Sequence, residues 1–254
     1  MNLRKRIRIW CSVIKAFVLT FNGVEAYIYN AEDTVEEILK KRGLIRFGDG
    51  EFGIYREKNI HYQRWSPELK DIFDKIKSEY EKEPESSPYL LAIPRKFMTV
   101  SGFKLMKKRV YVSSWSESRY DFKKNFRHDI PYGDAFLFEK DNKDIYSQIW
   151  TSDISPENVI FVHNSKKYAK LFANNFEKKV TFIACPAKDA FGDIDKLEQE
   201  ILSVIKKNKW KEDDFMLTIS AGPAGKVLVY RLSKLGFWCV DAGHCWDEPL
   251  EGIE

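Results

Sequence analysis

From Asp33 onward, apolar runs of strand length alternate with longer segments of helical periodicity. Strands that are joined by helices favour parallel pairing, with the helices covering both faces of the sheet. Helices are predicted at 67–80, 194–207 and 224–235, and strands at 44–47, 89–93, 109–113, 158–163, 179–184, 215–219 and 237–240. The sequence therefore predicts an α/β fold with a largely parallel sheet.

The chain has 254 residues, which suits either one α/β domain or a domain with an appendage. A capping pattern at Asp33-Thr34 opens the first helix of the alternating part, and Gly43 ends it. We found no internal repeat and no low-complexity linker. The predicted division is an N-terminal basic amphipathic segment over 1–30 and an α/β domain over 31–254.

The N-terminal segment begins with four cations, Arg4, Lys5, Arg6 and Arg8, and continues with an apolar run that Lys15 interrupts. The run is too short to span a bilayer, and no convincing signal cleavage site follows it. As a helix it would carry one apolar stripe, formed by Trp10, Val13, Ile14, Phe17, Val18 and Phe21. Such a helix suits docking on the domain, docking on a second subunit of a homo-oligomer, or peripheral contact with an anionic membrane. Docking is slightly favoured, because most such stripes are core.

Composition narrows the classes of partner. The net charge is +4 and the positive residues concentrate in the first few positions, which argues against a general nucleic-acid surface. The four cysteines show no CxxC pair and no zinc spacing, so reduced thiols and a cytoplasmic protein are expected, with the inner face of the membrane as the alternative location. Aromatic residues make up 15% of the chain, which suits a cleft for a sugar or a base.

Polar or glycine-containing clusters follow the predicted strands. Ligands of open parallel sheets collect at the carboxyl ends of the strands, so these clusters are expected to form one rim. The clusters are 46–51, Ser113, Ser114, Glu117, Ser118 and Arg119, then 163–165, 185–189, 220–226 and 241–244.

The first cluster places Asp49 and Glu51 one residue apart among Gly48, Gly50 and Gly53. We expect a tight turn from which both carboxylates project, and hard oxygen ligands of this kind suit a divalent cation. A solvated acidic turn is the alternative, since Asp-Gly is a common turn dipeptide.

Two later clusters also suggest chemistry. Small residues at 220–226 open a helix directly after an apolar strand, which suits either an anion site or an ordinary strand-to-helix turn with Pro223 at the first helical position. The segment matches neither the Walker pattern nor GxGxxG. His244, close to Asp241, is a candidate base or ligand, although a lone histidine is more often structural.

Four motifs in order, over 46–52, 186–191, 222–228 and 241–244, make the chain resemble the GT-D-type glycosyltransferases. This family was long described as a domain of unknown function and occurs in bacterial surface-glycan and adhesin-glycosylation loci. The resemblance covers 34–248. It implies a Rossmann-like fold distinct from GT-A and GT-B, a UDP-sugar donor, and Mn²⁺ or Mg²⁺ held with the help of Asp49 and Glu51.

The resemblance also implies a reaction, the transfer of a hexose of the glucose or galactose type to a glycan or glycoprotein acceptor. The catalytic candidates are Asp241, His244 and Glu51. The candidates for donor binding are Arg46, Phe47, Gly48, Arg119, Lys188, Asp189, Gly222, Pro223 and Ala224. Two positions depart from the family pattern, because Asp189 stands where asparagine is usual and Gly225 replaces a small hydroxyl residue or alanine.

Two other hypotheses stay open at this point. One is a different Rossmann-like nucleotide-dependent enzyme, such as a methyltransferase or a phosphohydrolase. The absence of a glycine-rich loop after the first strand, with an acidic residue about twenty positions later, counts against it. The other is a non-catalytic module that binds a glycan or a protein partner through its aromatic residues.

Overall fold

The computed structural model describes residues 3–107 and 109–243 of the chain. The strands are β1 (Tyr27–Ile28), β2 (Gly43–Arg46), β3 (Tyr89–Ile93), β4 (Pro131–Asp134), β5 (Asn158–His163), β6 (Lys179–Ala184), β7 (Phe215–Ile219) and β8 (Cys239–Asp241). The α-helices are α1 (Leu3–Leu19), α2 (Ala31–Leu39), α3 (Asp49–Tyr55), α4 (Pro67–Lys82), α5 (Arg95–Thr99), α6 (Gly102–Met106), α7 (Arg109–Asn125), α8 (Lys143–Tyr146), α9 (Gln148–Thr151), α10 (Lys166–Phe176), α11 (Ile194–Asn208) and α12 (Pro223–Ser233).

The eight strands form one sheet in the order β1-β4-β3-β2-β8-β7-β5-β6, and each neighbouring pair is parallel. Every residue of β3 and β7 is buried, which requires cover on both faces of the sheet. The predicted α/β fold with a parallel sheet is confirmed. Strands β5, β6 and β7 have the predicted bounds.

One predicted strand folds as a helix, and two short strands of the sheet were not predicted. The segment 109–113, predicted as a strand, begins helix α7, because packing against α1 and α6 outweighs its local β-branched pattern. Strands β1 and β4 were not predicted, since two and four residues are too short for a periodic signal.

Helix α1 packs along α7. Val13, Ala16 and Thr20 are buried in this contact, whereas Trp10 and Ile14 of the predicted stripe are exposed. The stripe therefore divides between a docked face and an open face. Within the described ranges, no helix is both long enough and apolar enough to cross a membrane.

The site depends on the junction between β2 and β8. The first four strands of the chain form one half of the sheet and the last four form the other, and β2 and β8 are paired where the halves meet. Leu44 lies opposite Val240 at this junction. The residues that follow the two strands are therefore neighbours, although about 195 positions separate them in the chain.

Candidate active site

A cleft of about 340 Å³ opens at the carboxyl ends of the sheet, where strands β2 to β8 all contribute residues. This volume lies in the range of small-molecule sites. The cleft is lined by Arg46, Gly48, Asp49, Gly50, Glu51, Tyr62, Pro94, Ala135, Phe136, His163, Asn164, Cys185, Pro186, Ala187, Ala190, Ser220, Ala221, Gly222, Lys226 and Gly243. The predicted rim of strand ends is confirmed for the clusters after β2, β5, β6, β7 and β8.

Asp49 and Glu51 lie in the first turn of α3, so the prediction of a tight turn was wrong. The physical reason is that the Gly48 N–H donates a hydrogen bond of 2.8 Å to Glu51 Oε2, which stabilises the start of a helix. Glu51 is buried by this contact, whereas Asp49 stays exposed at the cleft. Surrounding protein atoms that displace water, and then the charge of Glu51, raise the pKa of Asp49.

Lys226, on α12, lies beneath the cleft between two buried carboxylates. Its Nζ is 3.3 Å from Glu51 Oε1 and 3.1 Å from Asp241 Oδ2. Burial alone would lower the pKa of Lys226, but the charges of Asp241 and then Glu51 outweigh it and raise the pKa. Glu51, Lys226 and Asp241 are hereafter called the buried ion cluster.

Two oxygens of the buried ion cluster, Glu51 Oε1 and Asp241 Oδ1, are buried and have no hydrogen-bond partner among residues 3–107 and 109–243. Glu51 Oε1 is at ion-pair distance from Lys226 but lacks hydrogen-bond geometry. Buried polar atoms are nearly always bonded, so these oxygens need an explanation. They leave acceptor capacity directly below the cleft.

Arg46 connects the ends of three strands at the rim of the cleft. Its Nε donates to the Asp241 carbonyl at 2.8 Å, and one terminal nitrogen donates to the Ala135 carbonyl at 3.0 Å. Its guanidinium lies over the Phe138 ring, 5.0 Å from the centroid. Gly243, at φ +57°, makes room for this side chain, because a Cβ there would lie 1.7 Å from a guanidinium nitrogen.

The start of α12 forms one wall of the cleft. Gly222 precedes the helix at φ +55°, and a Cβ there would lie 2.9 Å from the Tyr62 ring, so only glycine fits without strain. Tyr62 faces this turn, and burial first, then the charge of Glu51, raises its pKa to about 12. Pro223 and Ala224 are buried in the first turn of α12.

Cys185 also lines the cleft. Burial raises the pKa of its thiol to about 11, so it is protonated at neutral pH. A thiol in that state is a poor nucleophile. Cys11, Cys185 and Cys239 are free thiols.

Several predicted site residues lie elsewhere. Phe47 is fully buried and packs on Tyr55 and Phe73, so it belongs to the core. Lys188 is exposed and does not line the cleft. Asp189 accepts a hydrogen bond of 2.6 Å from the Arg64 backbone N–H and holds the loop that carries Tyr62. His244 lies outside the described residues.

Arg119 is also away from the cleft, because the predicted strand that would have delivered it there is part of α7. Its side chain is fully buried and donates to the carbonyl oxygens of Phe97, Val100 and Thr20, the last at 3.1 Å. Burial lowers its pKa to about 10. Arg119 joins α1 to the segment that follows β3.

A divalent cation fits the cleft only if protein carboxylates and the phosphates of a bound substrate coordinate it together. Among residues 3–107 and 109–243, no group of three or more His, Cys, Asp or Glu side chains is placed to hold a metal ion. Asp49 and Glu51 both line the cleft and supply two carboxylates. Mg²⁺ is commonly held by one or two carboxylates together with substrate phosphates, and this donor set suits that arrangement.

The sequence analysis assigned no role to Lys226 or to Tyr62. Lys226 had a usable signal, because it is the only charged residue among the first eight of an otherwise apolar helix. A lysine in such a setting requires buried carboxylate partners. Tyr62 had none, since it lies in an irregular segment between α3 and α4.

The fold and cleft define an α/β protein that binds its ligand at the carboxyl ends of a parallel sheet. A family model described as "Glycosyltransferase GT-D fold" matches residues 44–249. The chain therefore belongs to the family of glycosyltransferases with the GT-D fold.

Curated relatives agree with this family. The chain is similar to "Glycosyltransferase GlyD" of Streptococcus pneumoniae serotype 4, with 24% identity over 84% of the chain and 26% of the relative. It is similar to "Probable glycosyl transferase Gly" of Streptococcus gordonii, with 20% identity over 85% of the chain and 32% of the relative. The chain thus spans about a quarter to a third of the length of these relatives.

Solved structures share the fold. One is described as "The highly conserved domain of unknown function 1792 has a distinct glycosyltransferase fold"; it has a TM-score of 0.69 and 19% identity over 96% of this chain and 84% of that one. A glycosyltransferase from Streptococcus sanguinis has a TM-score of 0.70 and 21% identity over 89% of this chain and 84% of that one.

Proposed function

We propose that the chain transfers a hexose of the glucose or galactose type from a UDP-sugar to a glycan or glycoprotein acceptor, with Mn²⁺ or Mg²⁺ bound at the cleft. The family supports the class of reaction. The donor, the metal and the acceptor of bacterial surface-glycan or adhesin glycosylation are our proposal.

The charge at the floor of the cleft carries this proposal. Asp49 and the buried ion cluster, together with Arg46, contain three carboxylates and two cations, which leaves one net negative charge. Such a site repels a free diphosphate and attracts a divalent cation. A diphosphate ligand therefore binds well only together with a metal ion.

Asp49 and Glu51 would hold the cation, Asp49 through its exposed carboxylate and Glu51 from beside it in the first turn of α3. When bound, the cation would neutralise the charge that develops on the leaving diphosphate. Lys226 holds Glu51 in place through the ion pair of 3.3 Å between its Nζ and Glu51 Oε1. Arg46 and the start of α12 border the same space and suit the donor phosphates.

For Asp241 we propose a positioning role in place of the predicted base. A general base must come within hydrogen-bond reach of the acceptor hydroxyl. The Asp241 side chain is completely buried, and it accepts from the Arg46 N–H at 3.3 Å and pairs with Lys226. From there it orders the residues that face the ligand. His244 remains the other candidate base.

The test is a panel of UDP-sugars with MnCl₂, read as UDP release. We expect EDTA to abolish release and Asp49→Ala to lower turnover by about a hundredfold or more. Asp153→Ala, which removes an exposed carboxylate after α9, is the matched control and keeps full turnover.

A second readout does not depend on turnover. Calorimetry should show that Mn²⁺ strengthens UDP binding to the wild type and to Asp153→Ala, but not to Asp49→Ala. Full UDP release in EDTA would refute the metal. No release from any UDP-sugar, with no UDP binding, would refute the donor.

A further inference from the structure

Helix α1 presents an open apolar face. Ile7, Trp10, Ile14 and Val18 are each more than half exposed, at 53%, 57%, 58% and 64%. Their spacings of three and four residues place them on one side of the helix. The packing against α7 uses other positions of α1, so this second face is left without cover in the described chain.

Helix α6 extends the same surface. It begins beside the end of α1, where the Gly102 N–H donates a hydrogen bond of 2.5 Å to the Phe21 carbonyl. The Phe21 and Phe103 rings meet edge to face with centroids 4.8 Å apart. Phe103 and Met106 are exposed at 68% and 45%. Ile7, Trp10, Ile14, Val18, Phe103 and Met106 are hereafter called the α1–α6 surface.

The charges of these two helices have one sign. Arg8 and Lys15 of α1 and Lys104 of α6 are exposed. The sequence of α1 also contains Arg4, Lys5 and Arg6, and neither helix contains a single acidic residue. Exposed apolar side chains with cations and no acids are complementary to an anionic, partly apolar surface.

The α1–α6 surface is preformed. Thr20, just after α1, accepts through its carbonyl from Arg119, and Ser12 donates 2.9 Å to Glu117 on α7. Glu117 in turn pairs with Lys58 at 2.7 Å. These contacts hold α1 in place along α7, so a partner meets a fixed helix and not a peptide that must first fold.

We propose that the α1–α6 surface binds anionic lipid headgroups and inserts its apolar side chains at the boundary with the acyl chains of a membrane. A helix with large apolar residues on one face and several cations lies in the plane of such an interface. Each basic residue near an anionic leaflet adds affinity, and the effect decays within a Debye length. The protein is held at the membrane surface without crossing it.

The experiment is co-sedimentation of the full chain with vesicles of phosphatidylcholine, with and without phosphatidylglycerol. We expect binding that requires phosphatidylglycerol and weakens with added salt. The double variant Trp10→Ser with Ile14→Ser should bind about tenfold more weakly or worse. Its matched control, Ile154→Ser with Leu235→Ser, removes two other exposed apolar side chains and should bind like the wild type.

Charge is tested separately. Arg8→Gln with Lys15→Gln should weaken binding by about fivefold for each removed charge. Lys206→Gln with Lys207→Gln, at the exposed end of α11, has the same net charge and should bind nearly as well as the wild type. None of these eight residues lines the cleft, so UDP release should be unchanged.

Three results would overturn the proposal. The first is wild-type protein that does not bind anionic vesicles, and the second is an α1 double variant that binds them as well as its control variant. The third is light scattering that shows a dimer for the wild type but not for the α1 double variant. The last result would assign the α1–α6 surface to a second copy of the chain.

Discussion

Two buried cations lie in different regions of this molecule, and their partners differ in kind. Lys226, at the floor of the cleft, is bound by two carboxylates, and the cluster leaves two oxygens without hydrogen bonds to any described residue. Arg119, below α1, is bound by three main-chain carbonyls and pairs with no carboxylate in the part of the chain that the structure describes. The first region carries unsatisfied acceptors next to a cavity, whereas the second joins chain segments.

The comparison shows how a buried charge can indicate function. The carbonyl partners of Arg119 carry no formal charge and offset only part of its desolvation penalty, so burial lowers its pKa to about 10. Carboxylate partners overcompensate the same penalty for Lys226, and its pKa is raised. We infer that a buried cation with surplus acid around it serves a site, and one with carbonyls alone serves the fold.

The largest effect is expected for Lys226→Met. Glu51 and Asp241 would stay buried without their shared cation, so the free energy of unfolding should fall by about 3–5 kcal/mol. Urea denaturation followed by circular dichroism measures this, and UDP release from the folded fraction should also be lost.

A second variant distinguishes the cost of the two unpaired carboxylates from general misfolding of Lys226→Met. Adding Asp241→Asn to Lys226→Met removes one of the two stranded charges and should recover part of the stability. If Lys226→Met alone unfolds within about 1 kcal/mol of the wild type, the buried ion cluster does not carry the energy that the comparison assigns to it.

Arg119→Met should have a smaller effect on stability. It leaves three carbonyls without their donors and should lower the free energy of unfolding by about 2–3 kcal/mol. UDP release per folded molecule should be unchanged, because Arg119 does not line the cleft. Arg119→Lys keeps one donor nitrogen, so its free energy of unfolding should lie between those of the wild type and Arg119→Met. A loss of UDP affinity in folded Arg119→Met would contradict the comparison.

The smallest effect on stability is expected for a substitution of Asp49, and this substitution should stabilise the protein instead of destabilising it. Its pKa is raised in the folded protein, so the ionised form is disfavoured there and stability declines as pH rises through the window above 3.8. Asp49→Asn should therefore raise the free energy of unfolding at neutral pH by roughly 0.3 kcal/mol, since solvent screens an exposed group. Thermal unfolding of both proteins across a pH series checks the sign.

The same raised pKa affects metal binding. A proton competes with the cation for Asp49, so Mn²⁺-dependent UDP binding should weaken on acidification, beginning at a pH above the ordinary aspartate range. Calorimetry between neutral and acid pH measures this. Affinity that stays constant to pH values below 3.8 would exclude Asp49 as a ligand.

Much of the fold was readable from the sequence because it depends on buried apolar runs. Strands β3, β5 and β7 contain such runs between helical patterns, and their bounds were predicted correctly. The start of α7 has the same local composition, but its neighbours are helices and it folds as one. Local pattern decides an element only where tertiary packing agrees with it.

Part of the candidate site could likewise be predicted from the sequence, and part of it could not. Strand ends converge in any parallel sheet, so the clusters after β2, β5, β6, β7 and β8 could be predicted without knowing their order. The bond between Lys226 and Glu51 could not, because its partners are 175 positions apart and belong to opposite halves of the sheet. The helical start at Asp49 depends on the return of Glu51 to the Gly48 N–H, which the glycine pattern conceals.

The hydrogen bond between Asp189 and the Arg64 backbone has a consequence for substitution at position 189. The backbone N–H of Arg64 needs one acceptor oxygen, and the amide of asparagine provides it as well as a carboxylate does. Only the solvent-exposed ion pair of 3.4 Å to the Arg64 side chain would be lost in the exchange. An exchange of Asp189 for asparagine would therefore keep the bond that holds the Tyr62 loop near Gly222.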